Sequence, residues 1–445
     1  DLEVSGGSSA LERKVGGYDL KGEHNLANEY HFLQLNAQLE PLTGNLSVSG
    51  NIDFYARQET ATLEILLHRD LKITGLHGDN IDSYACENGK PPAPWLGEAA
   101  ILKIKLKHPV SQGDRVSFAI NYGGRIGIVS EWETNRISPE WVELGLYAPW
   151  FPLPAGNELF TYELAMTMNP PEYGFVSSGE GRKGAAEEYR DGHTRWIVRS
   201  TQPVSDIVLL AAPRIYSKSS GSDGRIEVFY TDPGHESIAS IILEASEKLV
   251  AHYMKQYQYQ ESDMDGYFKI MLAPRSVGGG YVRPGLMVLS EVSETDYHKH
   301  EKAYAHWFAH EIAHLWWFRA PSYCWEDWLN ESFAEYAAVM AMRDFYGADV
   351  FESILTKKRD KTANTPCIMG IERNNEAAVE VLYDKGPLVL HELETRMELR
   401  RKGLFVDFLR AALKDKIVST AQLLDLLATM AGLEEAKWLE NKLKE

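Results

Sequence analysis

Cysteine is scarce in this 445-residue chain: Cys86, Cys324 and Cys367 lie far apart, and no pair has the close spacing of a redox or structural-zinc motif. A disulfide framework is therefore not expected. Long apolar runs are missing too. A membrane-spanning helix needs roughly 20 uninterrupted apolar residues, whereas every strong run here is broken by charges, Gly or Pro, so the expectation is a soluble chain with no membrane span. Positive charge is also short, with 46 Lys and Arg against 64 Asp and Glu and a net charge of −18. Nucleic-acid surfaces require basic stripes. None is visible, so no nucleic-acid partner is expected. The first residue is Asp1, with no Met and no basic-then-apolar leader, which leaves the compartment open between cytoplasmic and exported after leader removal.

What is present is the composition of a folded protein, 44% hydrophobic and 25% charged, at a length that implies more than one domain. From about Tyr30 to Tyr216, short alternating runs of Val, Ile, Leu, Tyr and Thr are punctuated by Gly, Asn, Asp and Pro, the pattern of an antiparallel β-saddle or sandwich. Ser217 to Gly224 is Ser- and Gly-rich and reads as a linker. Helical periodicity then takes over. Helices are expected over Ile238–Met254, Thr295–Phe318, Leu329–Tyr346 and Val381–Met397, with shorter pieces near Phe405 and Leu423 and a small β portion around Phe268–Leu272. The division is therefore an α+β chain with a β domain over 1–218 and a mostly α domain over 219–445.

His310-Glu311-Ile312-Ala313-His314 falls inside one of these helical patterns. A four-residue spacing turns a helix slightly more than once, so both imidazoles leave one face and can bind one ion. Glu311 points in a neighbouring direction, close enough to reach a metal-bound water, as a general base must. A catalytic zinc takes three protein ligands. Glu331 on the next helix is the third candidate, and Glu335, one turn on, is placed to orient a ligand imidazole. His306 shares the His310 face, but His306 and His314 are about 12 Å apart along the axis, too far for one ion. His306 reads as packed or solvent-facing, His298 and His300 as surface residues and Cys324 as a small buried residue.

Three ordered motifs, His310-Glu311-Ile312-Ala313-His314-Leu315-Trp316, Trp328-Leu329-Asn330-Glu331-Ser332-Phe333-Ala334 and Tyr383-Asp384-Lys385-Gly386, resemble the aminopeptidase N family of gluzincin metallopeptidases, which includes the leukotriene hydrolases. The resemblance implies an N-terminal β-saddle followed by a thermolysin-like catalytic domain, without the larger C-terminal helical domain of many relatives. It implies one Zn2+ per chain on His310, His314 and Glu331, Glu311 as the base, and Tyr383 as the donor to the oxyanion of the tetrahedral intermediate. Glu143, nine residues before Pro152, is similar to the family residue that contacts the substrate's free amine.

Departures from the family pattern bear on substrate choice. The usual Gly-x-Met-Glu-Asn strand is replaced by Gly278-Gly279-Gly280-Tyr281-Val282-Arg283-Pro284-Gly285, where Gly279, Gly280 and Tyr281 still permit close backbone approach of a substrate but Val282 stands in place of the second amine anchor. The loop from His314 to Glu331 is two residues short of the family norm. The acid expected seven residues after Glu331 is Ala338, which transfers the orienting role to Glu335. The expected activity is a zinc aminopeptidase acting on peptides. An endopeptidase or atypical exopeptidase, with Arg283 meeting a substrate carboxylate, and a non-catalytic peptide-binding relative are the alternatives. Trp307, Trp316, Trp317, Trp325 and Trp328 read as core packing more than as a specificity pocket.

Overall fold

The computed structural model describes residues 30–87, 99–127, 135–156, 158–188, 194–221, 225–259, 268–276, 279–322, 324–373 and 375–445. In the first half, strands such as His31–Glu40 and Asn45–Tyr55 bury every second residue, so each supplies one apolar face. A seven-stranded sheet and a four-stranded sheet containing Thr60–His68 and Ala99–Val110 turn those faces onto one core that includes Leu33, Leu35, Ile52, Leu63, Ile104 and Phe118. Pairing is antiparallel apart from one case among the described strands of this half: His31–Glu40 runs parallel to Phe160–Met168. Local alternation carries no information on that long-range pairing.

Two further sheets sit between this core and the helices. One has four strands, Gly174–Ser177, Leu209–Ala212, Val142–Leu144 and Arg136–Ile137, in that order. The other has five, in the order Tyr216–Ser219, Ile226–Tyr230, Phe268–Leu272, Leu286–Leu289 and Gly280–Arg283, the central three parallel. Both bury apolar side chains on both faces. In the four-stranded sheet Leu209 and Ala211 enter the N-terminal core, while Leu210 and Ala212 meet Phe229, Met271, Leu286 and Val288 of the five-stranded sheet. The opposite side chains of that sheet, Val228, Ile270, Leu272, Met287 and Leu289, face the helices. Parallel strands covered twice read as continuous apolar runs, as Leu286–Leu289 does. The expected small β portion is thus one strand of a five-stranded sheet. The segment read as a linker contributes Ser217–Ser219 to a strand paired with Ile226–Tyr230, and the boundary placed after residue 218 falls inside that strand; residues 222–224 of the segment, like Gly278, lie outside the described residues.

The helices follow as α1 Glu236–Tyr257, α2 Glu294–Lys299, α3 Glu301–Ala313, α4 Trp328–Tyr346, α5 Ala348–Thr362, α6 Ala378–Glu380, a π-helical turn Val381–Lys385, α7 Gly386–Arg400, α8 Leu404–Lys414, α9 Thr420–Ala431 and α10 Leu433–Lys444. The single helix expected over Thr295–Phe318 is divided. Ser293 caps α2 by accepting from Asp296 N–H, His300 leaves helical geometry at φ −124°, and α3 begins anew. It ends at His314, beyond which turns lead into the connection to α4. The helix expected from Val381 opens with the π turn.

Candidate active site

Helices α3 and α4 pack side by side and bring His310 and His314 onto Glu331. The short connection between them is closed by Asn330, whose amide accepts from Ala320 N–H (3.0 Å) and donates to Ala320 O (2.9 Å) and Asp327 Oδ1 (2.8 Å). That clamp ties the first turn of α4 back to Ala320 at the residue before Glu331, so the shortened loop still delivers the carboxylate.

Each imidazole is oriented through Nδ1, His310 against Glu335 Oε2 (2.9 Å) and His314 against Trp317 O (2.8 Å). Those acceptors fix the proton on Nδ1 and leave both Nε2 lone pairs pointing inward. The two Nε2 atoms are 3.2 Å apart and each is 3.4 Å from Glu331 Oε2. A tetrahedral ion with bonds of about 2.05 Å requires donor separations of about 3.3 Å, so the triangle has the size of a zinc face. Glu331 Oε2 is buried and faces both Nε2 atoms at 3.4 Å, longer than an ordinary hydrogen bond, as an atom shaped for a cation would be. Electrostatics agree. Burial acts to lower the His310 pKa, but hydrogen bonds to Glu331 and Glu335 and the charges of Glu335 and Glu311 outweigh it and hold the group at about 10. Glu331 is kept well below the carboxylate range despite burial, chiefly by His314 and His310. The cluster therefore favours positive charge at its centre, and these three residues can hold a metal ion.

Glu311 is buried beside this triangle, its Oε1 accepting from Trp307 Nε1–H at 3.0 Å. The Trp307 ring in turn lies against Gly280, where an added Cβ would stand 2.8 Å from Trp307 Cζ2. The Tyr383 ring stacks on His310 at 5.3 Å between centroids, and its hydroxyl pKa is pushed well up by burial and by the charge of, and hydrogen bond to, Glu331. The π turn that carries Tyr383 breaks the regular helical ladder, and two of its carbonyls are taken by side chains: Leu382 O by Ser332 Oγ (2.6 Å) and Tyr383 O by Lys358 Nζ (2.7 Å). Gly386 follows because nothing larger fits. A Cβ there would be 1.9 Å from Ser332 Oγ and 2.5 Å from Ser332 Cβ.

The remaining sequence candidates fall elsewhere than expected. Glu143 is 1% exposed, and its carboxylate accepts from Trp141 Nε1 (2.9 Å), Arg275 Nε (3.1 Å) and the Tyr281 hydroxyl (3.1 Å). In this arrangement it is one half of a buried ion pair joining the β half to the Gly-rich strand, and the free anchor expected for a substrate amine is not what the structure places there. Arg283, proposed to meet a substrate carboxylate, is spent on Asp206 (2.7 Å) and lies over the Tyr147 and Tyr281 rings. Gly279 has φ +57° and its carbonyl accepts from Ser290 N–H and Arg275 Nη1, while Gly280 begins the outermost strand of the five-stranded sheet. Sequence reasoning missed Lys358, which no motif marks, and the link from Trp307 to Glu311. The latter was legible in the i, i+4 spacing on α3.

Two adjacent helices thus bring together His310, Glu311, His314 and Glu331, of which His310, His314 and Glu331 could hold a metal ion. In comparison with known proteins, residues 243–443 match the Peptidase family M1 domain. Over its length the chain is similar to the M1 zinc metallopeptidase from Deinococcus radiodurans, at 17% identity, with 93% of each chain covered and a TM-score of 0.68. It is likewise similar to a mutant of that protein bound to a Tyr-Ser-Ala substrate (17%, 93% of each chain, 0.66) and to a two-domain M1 zinc metallopeptidase mutant bound to L-tryptophan (16%, 94% of each chain, 0.66). These likenesses establish the fold, an N-terminal multi-sheet β domain followed by a helical catalytic domain. No curated protein matches the chain.

Proposed function

We propose that this chain is a zinc-dependent peptide hydrolase of the aminopeptidase type, with His310, His314 and Glu331 holding the metal. The observation that carries the reading is the convergence of two Nε2 lone pairs and one carboxylate oxygen, all within 3.4 Å of one another, beside a buried glutamate and a phenol. Zinc in such a site supplies Lewis acidity, polarising a carbonyl and lowering the pKa of a water. Glu311 takes the proton from the attacking water and passes it to the departing amine nitrogen as the C–N bond breaks. Tyr383, leaving Glu331, donates to the oxygen that gains negative charge, a contact stronger in the transition state than in the substrate. Glu335 holds His310 in the tautomer that keeps Nε2 free. The strand Gly280–Arg283 offers its outer edge to the substrate backbone, pairing as an added strand.

Exopeptidase action is supported by the neighbours of the same fold that carry a tripeptide substrate or a single amino acid. An endopeptidase is the second reading, favoured by one observation: Val282 stands where an amine-binding glutamate is usual, and Glu143 is engaged by Arg275. The test is hydrolysis of one peptide with a free and with an acetylated N-terminus, by zinc-loaded protein and by Glu311→Gln. Zinc-dependent turnover of the free peptide alone, lost in the variant, supports the aminopeptidase. Cleavage of both forms supports the endopeptidase, and equal behaviour of wild type and variant overturns the catalytic reading.

A further inference from the structure

Lys358 lies in α5, outside every motif of the catalytic signature, yet its ammonium is buried against the site. Burying an ammonium is costly unless its donors are satisfied, and here each has an acceptor: Glu335 Oε1 at 2.6 Å, Tyr383 O at 2.7 Å and Asp384 Oδ1 at 3.3 Å. These acceptors belong to different parts of the machinery. Glu335 Oε1 is the partner of the oxygen that holds His310 Nδ1, so fixing one fixes the plane of the carboxylate and with it the ring. Tyr383 O and Asp384 lie in the π turn, whose irregular backbone leaves carbonyls to be satisfied from outside. His306 Nε2, 2.9 Å from Glu335 Oε1, adds a second contact to the same oxygen but none to the turn.

We propose that Lys358 is a positioning residue that couples the metal-binding imidazole of His310 to the phenol of Tyr383, setting both from one nitrogen atom. The proposal rests on the reading of the chain as a zinc peptidase. Asp384 keeps Lys361 (3.3 Å) and Glu335 keeps His306 when Lys358 is replaced, so neither carboxylate is stranded alone. What is lost is the bridge between them.

The test uses full-length Lys358→Met and Lys358→Arg. Zinc affinity is read by chelator competition, the ligand field by the visible spectrum of the Co2+-loaded protein, and kcat and KM on the best peptide substrate. Loss of an outer partner of a metal-ligating histidine costs about 10- to 100-fold in metal affinity or activity. For Lys358→Met the expectation is a zinc Kd raised by about 10-fold or more, a shifted Co2+ spectrum, and kcat lowered by about 10- to 100-fold with KM little changed. Lys358→Arg keeps the charge, but a planar guanidinium cannot put one nitrogen on three acceptors; it is expected to fold and still lose kcat. A merely structural lysine would lower thermal stability while the folded protein kept its zinc Kd, spectrum and kcat. That result in either variant overturns the proposal, and Lys358→Arg decides if Lys358→Met does not fold. Wild-type protein without zinc-dependent turnover would overturn the peptidase reading instead, and the zinc Kd and Co2+ spectrum still judge Lys358.

Discussion

Replacing Gly386 by Ala adds one carbon at the most crowded point behind the site. The new Cβ would lie 1.9 Å from Ser332 Oγ, and rotating that hydroxyl away leaves Ser332 Cβ at 2.5 Å. Ordinary carbon contacts begin near 3.5 Å, so α4 and the π turn must separate by about 1 Å. Ser332 is next to Glu331, and Gly386 is three residues from Tyr383, so the separation moves the Glu331 carboxylate and the Tyr383 phenol apart. Misplacement by about 1 Å costs on the order of 100-fold in rate, and overpacking costs about 1–3 kcal/mol. Expected for Gly386→Ala are a kcat about 100-fold below wild type and a Tm lower by about 3–10 °C. Steady-state kinetics on a fluorogenic aminoacyl amide and a thermal melt measure both. Ser332→Gly in the same chain removes both clashing atoms and should recover part of kcat, although it also removes the donor to Leu382 O. Wild-type kcat in the Ala variant would refute the claim that this contact sets the position of Tyr383.

Trp307→Phe keeps a ring against Gly280 and deletes the N–H on Glu311; kcat should fall several-fold with the pH profile displaced, whereas an unchanged profile would show that the indole merely packs. Glu143→Gln removes the carboxylate charge 3.1 Å from the buried Arg275 Nε, and breaking a buried pair of this kind costs about 3–5 kcal/mol, read as a lowered melting temperature. Glu394 supplies a pH-dependent term: burial acts to raise its pKa, but hydrogen bonds from His391 and Tyr336 and the charge of Arg343 hold it down at about 2. A carboxylate lowered on folding stabilises above its unfolded value near 4.5 and loses that contribution as pH falls towards 2. Glu394→Gln should therefore flatten the acid limb of a stability-versus-pH curve over that window, and an unaltered limb would count against it.

Chemistry written on one helix turn was legible, and chemistry assembled across the chain was not. His310, Glu311 and His314 follow from the pitch of a helix, and Trp307 stands one turn before Glu311 on the same rule. Lys358 reaches Glu335, 23 positions away, only because α5 folds back on α4, and no spacing announces it. Glu143 was expected to meet a substrate amine, because its partner Arg275, 132 residues distant, leaves no mark on the local sequence. The Ser- and Gly-rich stretch after Tyr216 was read from composition as a linker, but pairing with Ile226–Tyr230 overrides composition there. Similarly, the break at His300, where the backbone leaves helical geometry, lies within an unbroken helical pattern.

The middle four-stranded sheet has a consequence for anyone dividing the protein. Because Leu210 and Ala212 cover Phe229, Met271, Leu286 and Val288, a catalytic half produced alone would present those side chains to water as a bare sheet face. A cut after residue 218 would also remove three of the four residues of the outer strand that shields Ile226–Tyr230. The isolated piece is then a candidate for self-association through a sheet whose other face, with Val228, Ile270, Leu272, Met287 and Leu289, supports the helices.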